Sequence, residues 1–270
     1  MNRIDARFEE LKRQGRAALI PYVTAGDPTP DHTVDILHAL TSAGADMIEL
    51  GMPFSDPMAD GPVIQAACER ALSQGADLAG VLASVDGFRR EDADTPIILM
   101  GYMNPIERFG TQEFLRAAAR AGVDGLLIVD LPPEESAEFN RDAAGQGIHQ
   151  VFLVAPTTSE ARLDSVMAQA RGFVYYVSFK GITGASHLAT GEVSEAVGRI
   201  RGHTELPIGV GFGIKSADDA RQVAGFADAV VIGSALVDAV FRAGPEHSAE
   251  AAHRFLAPIH QAMTPEEATA

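Results

Sequence analysis

The chain has 270 residues and a formal net charge of −16, with its Arg and Lys scattered rather than clustered. Neutralising a phosphate backbone needs a basic patch, so nucleic acid is excluded as a partner. One cysteine, Cys68, excludes an internal disulfide and fits a reducing, cytoplasmic setting, and no apolar run reaches membrane-spanning length. Small anions remain open, because backbone N–H groups bind phosphate without help from net charge.

The N-terminal stretch MNRIDARFEELKRQGR predicts a charged helix and lacks the apolar core of a signal peptide. Eight short, nearly continuous apolar runs follow, at 18–25, 47–53, 96–103, 125–131, 149–156, 173–179, 207–213 and 229–236. Such runs suit parallel strands covered on both faces. Amphipathic stretches lie between them, among them TVDILHALTSAG and TQEFLRAAARAG, with a Gly just past the end to cap the helix. Eight βα units in this length predict a (β/α)8 TIM barrel, a single domain over 1–264 with an extra N-terminal helix and a frayed tail at 265–270. An open, doubly wound sheet is the alternative. In a barrel, chemistry sits where strands end and βα loops begin, which makes position a filter for candidates.

Glu49 lies in the second run and shares a face with Met47 and Gly51. Pointing into the barrel, it would have a raised pKa suited to acid/base work; on the outer face it would pair with an Arg. Asp60, in the loop after the same strand, precedes Gly61 and Pro62, so helix cap and catalyst are equally good readings. Asp56, before Pro57, marks a turn.

Farther along, Gly211 and Gly213 stand where the seventh strand turns towards a helix, and Gly233 and Ser234 stand at the mouth of the eighth. Those two loops and a helix N-terminus form the usual barrel phosphate site. Lys215 is nearby but suits a solvated helix start. The long polar loop after the sixth strand, SFKGITGASHLATGEV, suits a lid or a plain surface loop. The lysines are Lys12, Lys180 and Lys215; none is mid-strand, as a Schiff-base aldolase would need, and Lys180 suits a solvated loop position. The histidines are dispersed, with only His187 in a candidate top loop, so no metal site is expected. Carbon–carbon chemistry here must rest on acid/base groups.

The string IELGMPFSDPMADGP resembles the signature of the tryptophan synthase alpha chain family, and PYVTAGDP, MGYMNPI, LIVDLPPEE and GFGI match that family in order. The resemblance covers roughly residues 15–260. It implies retro-aldol cleavage of indole-3-glycerol phosphate to indole and glyceraldehyde 3-phosphate, with Glu49 and Asp60 as the catalytic pair. It implies an indole slot walled by Tyr22, Met100, Tyr102, Leu127, Val129 and Phe212, with Tyr175 in the substrate site. Thr183 would meet the catalytic aspartate from the lid, and Gly184, Gly213, Gly233 and Ser234 would surround the phosphate. Pro53, Asp56 and Asn104 would face a beta chain in an alpha–beta–beta–alpha complex, with pyridoxal phosphate on that partner and no cofactor here. Two departures from the family pattern stand out: Tyr22 replaces a frequent Phe and adds a hydroxyl that needs a partner, and Phe179-Lys180 replaces part of the usual lid string. A stand-alone lyase would use the same residues; an inert regulatory subunit would have lost Glu49 or Asp60; the acid-proline loop argues against a sugar-phosphate isomerase.

Overall fold

A computed structural model describes residues 1–177, 190–211 and 213–264. Strands β1 (Ala18–Thr24), β2 (Ile48–Gly51), β3 (Ile97–Gly101) and β4 (Gly125–Ile128) pair in chain order, all parallel. The expected fifth strand is divided into β5 (His149–Gln150) and β6 (Phe152–Val154) at Val151. β5 pairs with β4 and β6 with β7 (Val174–Val177). β8 (Ile208–Gly211) and β9 (Ala229–Ile232) then lead back to β1. The nine segments thus make a nearly closed parallel barrel, in which the divided fifth strand joins the two halves. The open doubly wound alternative is set aside, since β9 pairs with β1. β1, β2, β3, β4, β6 and β9 each stop short of their apolar run at the C-terminal end, where the chain leaves the sheet to build the top loops.

Side chains sort by alternation. Leu19, Val23, Ile48 and Leu50 face the helices, whereas Ala18, Ile20, Met47, Ile98, Leu127, Val151, Phe173, Ala229 and Val231 fill the interior. The expected N-terminal helix, α1 (Arg3–Gln14), is charged on one side but sets Ile4, Phe8 and Leu11 into that same interior cluster. It plugs the lower end of the barrel. Gly125 is required there, because a Cβ on it would stand 2.9 Å from Ile4 Cδ1.

The lower face is also held by a repeated device. The chain reads AGAD, AGVD and GFAD ahead of β2, β4 and β9, and each Asp accepts a backbone N–H from the first or second residue of a neighbouring strand. Asp46 accepts from Leu19 at 2.8 Å and pairs with both terminal nitrogens of Arg16, at 2.8 and 2.7 Å. Asp124 accepts from Ile97 at 2.9 Å and pairs with Arg3 and Arg89, each at 2.8 Å. Asp228 accepts from Ile208 at 2.8 Å and from Arg201 at 2.7 Å.

Around the barrel, α2 (Thr33–Ser42) and α6 (Thr111–Ala121) form where the apolar spacing placed them, and Gly122 ends α6 in the left-handed conformation, with φ 93°. α3 (Pro62–Ser73), α4 (Leu78–Arg89), α5 (Met103–Phe109), α7 (Ala137–Gly145) and α8 (Glu160–Gln169) cover the middle of the chain. α9 (Thr190–Arg201), α10 (Ala217–Ala224), α11 (Ser234–Ala243) and α12 (Ser248–Met263) complete the outer layer. None of the helices among the described residues is long and apolar enough to cross a membrane.

Removing Asp124 would take its close carboxylate from Arg89, whose side chain is only 10% exposed, and leave it the Gly122 and Thr95 carbonyls. Asp124→Ala is expected to lower unfolding free energy by about 3–5 kcal/mol, the usual cost of breaking a buried pair from one side. Urea denaturation followed by circular dichroism measures it.

Candidate active site

Glu49 sits mid-way along β2, in register with Tyr22 of β1 on one side and Ile98 of β3 on the other. It follows Met47 on the inward face and is 2% exposed. Its Oε1 has no hydrogen-bond partner among the described residues, so the outer-face reading with an Arg partner is set aside. Burial, reinforced by the negative charge of Asp60, pushes its pKa up to about 8. A carboxyl group in that environment carries its proton at neutral pH.

Asp60 does not cap the helix that follows. Gly61 is the N-cap of α3, and no side chain bonds to the helix start. The carboxylate is held from the other side: Tyr102 Oη donates to Asp60 Oδ2 at 2.9 Å, while the Ala59 N–H donates to Tyr102 Oη at 3.0 Å. The Asp60 N–H closes a turn onto the Pro57 carbonyl at 3.0 Å, and Gln65 Nε2 donates to the Asp60 carbonyl at 2.8 Å. Partial burial raises the Asp60 pKa and the Tyr102 hydrogen bond opposes that rise. The two carboxyl groups thus have different environments, one fully buried with an unpartnered oxygen, the other hydrogen-bonded and only partly buried.

Tyrosines flank the pair. Tyr22 is buried, and its hydroxyl finds the partner it needs in Thr24 Oγ1 at 3.2 Å. That hydroxyl occupies the space a Cβ on Gly51 would fill, and the Tyr175 hydroxyl does the same at Gly211. Burial, then Cys68 and Asp60, raises the Tyr22 pKa; burial, then Glu49 and Asp60, raises that of Tyr175. Both rings therefore stand close to the carboxylates. Met100 and Val129 are partly buried against the interior cluster, whereas Leu127 is completely covered and backs it from beneath.

Of the two glycine loops, Gly213 adopts φ 75° after β8 and Gly233 is the N-cap of α11, whose first residue is the exposed Ser234. The α10 end is closed by its own capping box, in which Ser216 and Asp219 bond reciprocally. No side chain caps α11, so its N–H groups remain the available anion pole. Lys215 is exposed, as a solvated helix start requires. Thr183, Gly184 and Phe212, with Lys180 and His187 in the same sixth loop and the tail at 265–270, lie outside the described residues.

Asp56 is exposed and turns the chain, accepting the Met58 N–H at 2.8 Å on its carbonyl and the Ser55 hydroxyl at 2.6 Å on its carboxylate. Asn104 is exposed in α5, whereas Pro53 is buried. One pairing at this end was not anticipated. Asp27, 4% exposed in the loop after β1, grips Arg70 of α3 with two contacts of 2.8 Å, and Arg70 lies 3.7 Å from the centre of the Phe241 ring. The signal was an acid followed by Pro at a strand end. Among the described residues no three His, Cys, Asp or Glu side chains are arranged to hold a metal ion.

With that geometry established, the chain can be set beside known proteins. The family model for the tryptophan synthase alpha chain matches residues 8–264. The alpha chain of Laribacter hongkongensis is 57% identical over 97% of this chain and 99% of its own. That of Thioalkalivibrio sulfidiphilus is 55% identical over 97% and 100%. The crystal structure of tryptophan synthase subunit alpha from Legionella pneumophila superposes with a TM-score of 0.92 at 43% identity, covering 97% of this chain and 98% of that one.

A carboxyl group kept protonated by its surroundings weakens the fold as pH rises. Below the ordinary glutamate pKa of 4.5 both states are protonated; between there and about 8 only the unfolded state loses its proton. Stability is therefore lost across that window. Glu49→Gln removes the term and is expected to raise unfolding free energy on the order of 2–3 kcal/mol at pH 7 but little at pH 4. Parallel urea titrations at the two pH values test this.

Proposed function

The chain belongs to the tryptophan synthase alpha chain family, which cleaves indole-3-glycerol phosphate in tryptophan biosynthesis, and we propose that Glu49 and Asp60 carry that lyase reaction here. The observation that carries this reading is the contrast between the two carboxyl groups: Glu49 is buried and pushed up to about 8, and Asp60 is bonded and nearer solvent.

Cleavage requires the indole ring to be protonated at C3 before the bond from C3 to the side-chain carbon can break. Protonated Glu49 donates that proton and becomes a carboxylate. Asp60 stays ionised, accepts from the indole N–H and stabilises the positive charge that spreads over the ring. The C3–carbon bond then breaks, its electron pair restoring the aromatic indole. The side-chain hydroxyl becomes the aldehyde of glyceraldehyde 3-phosphate, and its proton returns to Glu49. One proton enters and one leaves, so the enzyme is regenerated without an external acid. Help of this kind is worth about 10²–10⁴-fold per group.

Tyr22, Met100, Tyr102, Val129 and Tyr175 would wall the ring, with Leu127 behind them and Phe212 completing the slot. The phosphate would lie at the N-terminus of α11, against Gly233 and Ser234, with Gly213 and Gly184 around it and Thr183 reaching Asp60. The family needs no cofactor on this chain and works with a beta chain. We extend this to an alpha–beta–beta–alpha assembly in the cytoplasm, with pyridoxal phosphate on the beta chain and the loops bearing Pro53, Asp56 and Asn104 facing it.

Incubation with indole-3-glycerol phosphate, alone and with a beta chain, while indole or tryptophan is followed, tests the activity. Asp60→Asn is expected to abolish indole release with the fold intact; turnover near wild type would remove Asp60 from the mechanism. Glu49→Gln is expected to bind substrate without cleaving it, and failure to bind would assign Glu49 a structural role. Because Glu49 must begin protonated, kcat/KM is expected to fall as pH rises through about 8.

A further inference from the structure

The Asp60 backbone is held by Pro57 and Gln65, but its carboxylate extends from a loop whose neighbouring side chains do not hold it. Ser55, Asp56, Met58 and Ala59 are exposed, and Met58 is 83% exposed. A carboxylate at the end of such a segment would sample many orientations, and a misplacement of about 1 Å costs on the order of 10²-fold in rate. Tyr102 is the opposite kind of residue. It stands at the end of β3 as the N-cap of α5, it is 3% exposed, and its ring packs against Phe54 with centroids 5.3 Å apart. Its hydroxyl faces the loop and makes two bonds of opposite sense, accepting from the Ala59 N–H and donating to Asp60 Oδ2. The first bond orients the hydroxyl hydrogen, because an oxygen already accepting from Ala59 directs its own proton towards the carboxylate. Among the described residues, Tyr102 is the one side chain that hydrogen-bonds the Asp60 carboxylate.

We propose that Tyr102 is the positioning residue for Asp60: a barrel-anchored hydroxyl that fixes Oδ2 and turns Oδ1 towards the indole N–H. This rests on the assignment of Asp60 above and goes beyond a place for Tyr102 in the wall of the indole slot. Its consequence is electrostatic as well as geometric. Among the described residues, the titratable groups around Asp60 are Glu49 on β2, Tyr22 on β1, Tyr175 on β7, Cys68 on α3 and Tyr102 itself. No cation is among them. Burial works against the ionised form, and the Tyr102 bond works for it. A hydrogen bond to a charged acceptor is stronger than one to a neutral acceptor, so losing it makes Asp60 harder to ionise.

The test compares Tyr102→Phe, Asp60→Asn and the double variant by steady-state indole release from pH 5 to 9. Tyr102→Phe removes one oxygen and keeps the ring against Phe54. It is expected to lower kcat about 10- to 100-fold with KM nearly unchanged, and to move the acidic limb of kcat/KM up by about one pH unit. In the double variant the second substitution should cost nothing further. Replacing Tyr102 by 3-fluorotyrosine keeps its bulk, makes the hydroxyl a stronger donor and should move the same limb down. If Asp60→Asn is inactive but the acidic limb of Tyr102→Phe stays in place, or its loss lies wholly in KM, the positioning role is overturned and the Asp60 assignment stands. Wild-type turnover by Asp60→Asn would overturn both.

Discussion

A parallel barrel has two ends, and here the lower one is sealed by contacts that leave the upper one free to be unfavourable. The decisive interactions are the three aspartates that meet an N–H at the start of a neighbouring strand, from its first or second residue, while holding arginines outside. Asp46, Asp124 and Asp228 do for the strand starts what a cap does for a helix, by supplying an acceptor where the ladder has none. Each also sets register, because the N–H it takes is a particular one. With α1 inserted beneath them, the lower interior is filled by Ile4, Phe8 and Leu11.

The upper end has the reverse character. Glu49 is surrounded by apolar residues and tyrosines, with no ion pair among the described residues, and an ionised carboxylate in such a place is costly. The fold does not remove that cost. It meets it by keeping the group protonated, which is the state an acid catalyst needs at neutral pH. Asp60 has a hydrogen bond and partial exposure instead, and remains the better anion. Two like carboxyl groups are thereby separated by surroundings alone, as the donor and stabiliser roles proposed for them require. The tyrosine hydroxyls over Gly51 and Gly211 follow from the same economy of space, since glycine on one strand makes room for a polar tip from the next.

How much of this was legible beforehand differs by kind of residue. Strand positions were legible, because a strand covered on both faces must be apolar throughout, and eight such runs at that spacing leave few folds. Glu49 was legible as an exception to its run, although its direction needed the register that sets it beside Tyr22 and Ile98. Asp60 was not, since an acid two residues before Pro62 has the same local pattern whether it caps the helix or faces a cavity. Only the position of Gly61 as N-cap separates the two. The AGAD, AGVD and GFAD strings were visible but mute, because what they accept lies 20 to 27 residues away in the chain. Tyr102 shows the limit most clearly. Its ring suited a pocket wall, and nothing local said that its hydroxyl would be taken by Asp60, which precedes it by 42 residues.

That long-range bond also joins two loops which the chain order keeps apart. The segment after β2 carries the exposed Ser55, Asp56 and Met58, and the segment after β3 carries the exposed Asn104 two residues beyond Tyr102. Between them stands a chain of three groups, the Ala59 N–H, the Tyr102 hydroxyl and the Asp60 carboxylate. A shift of the exposed tip moves Ala59, and Ala59 orients the proton that holds Asp60. The same shift leaves Glu49 where it is, because Glu49 belongs to the sheet and not to a loop. Of the two carboxyl groups, then, Asp60 is the one whose neighbours in the chain are exposed. The pair proposed for catalysis is thus divided, one member in a strand of the barrel and the other on a loop tied to that barrel through Tyr102.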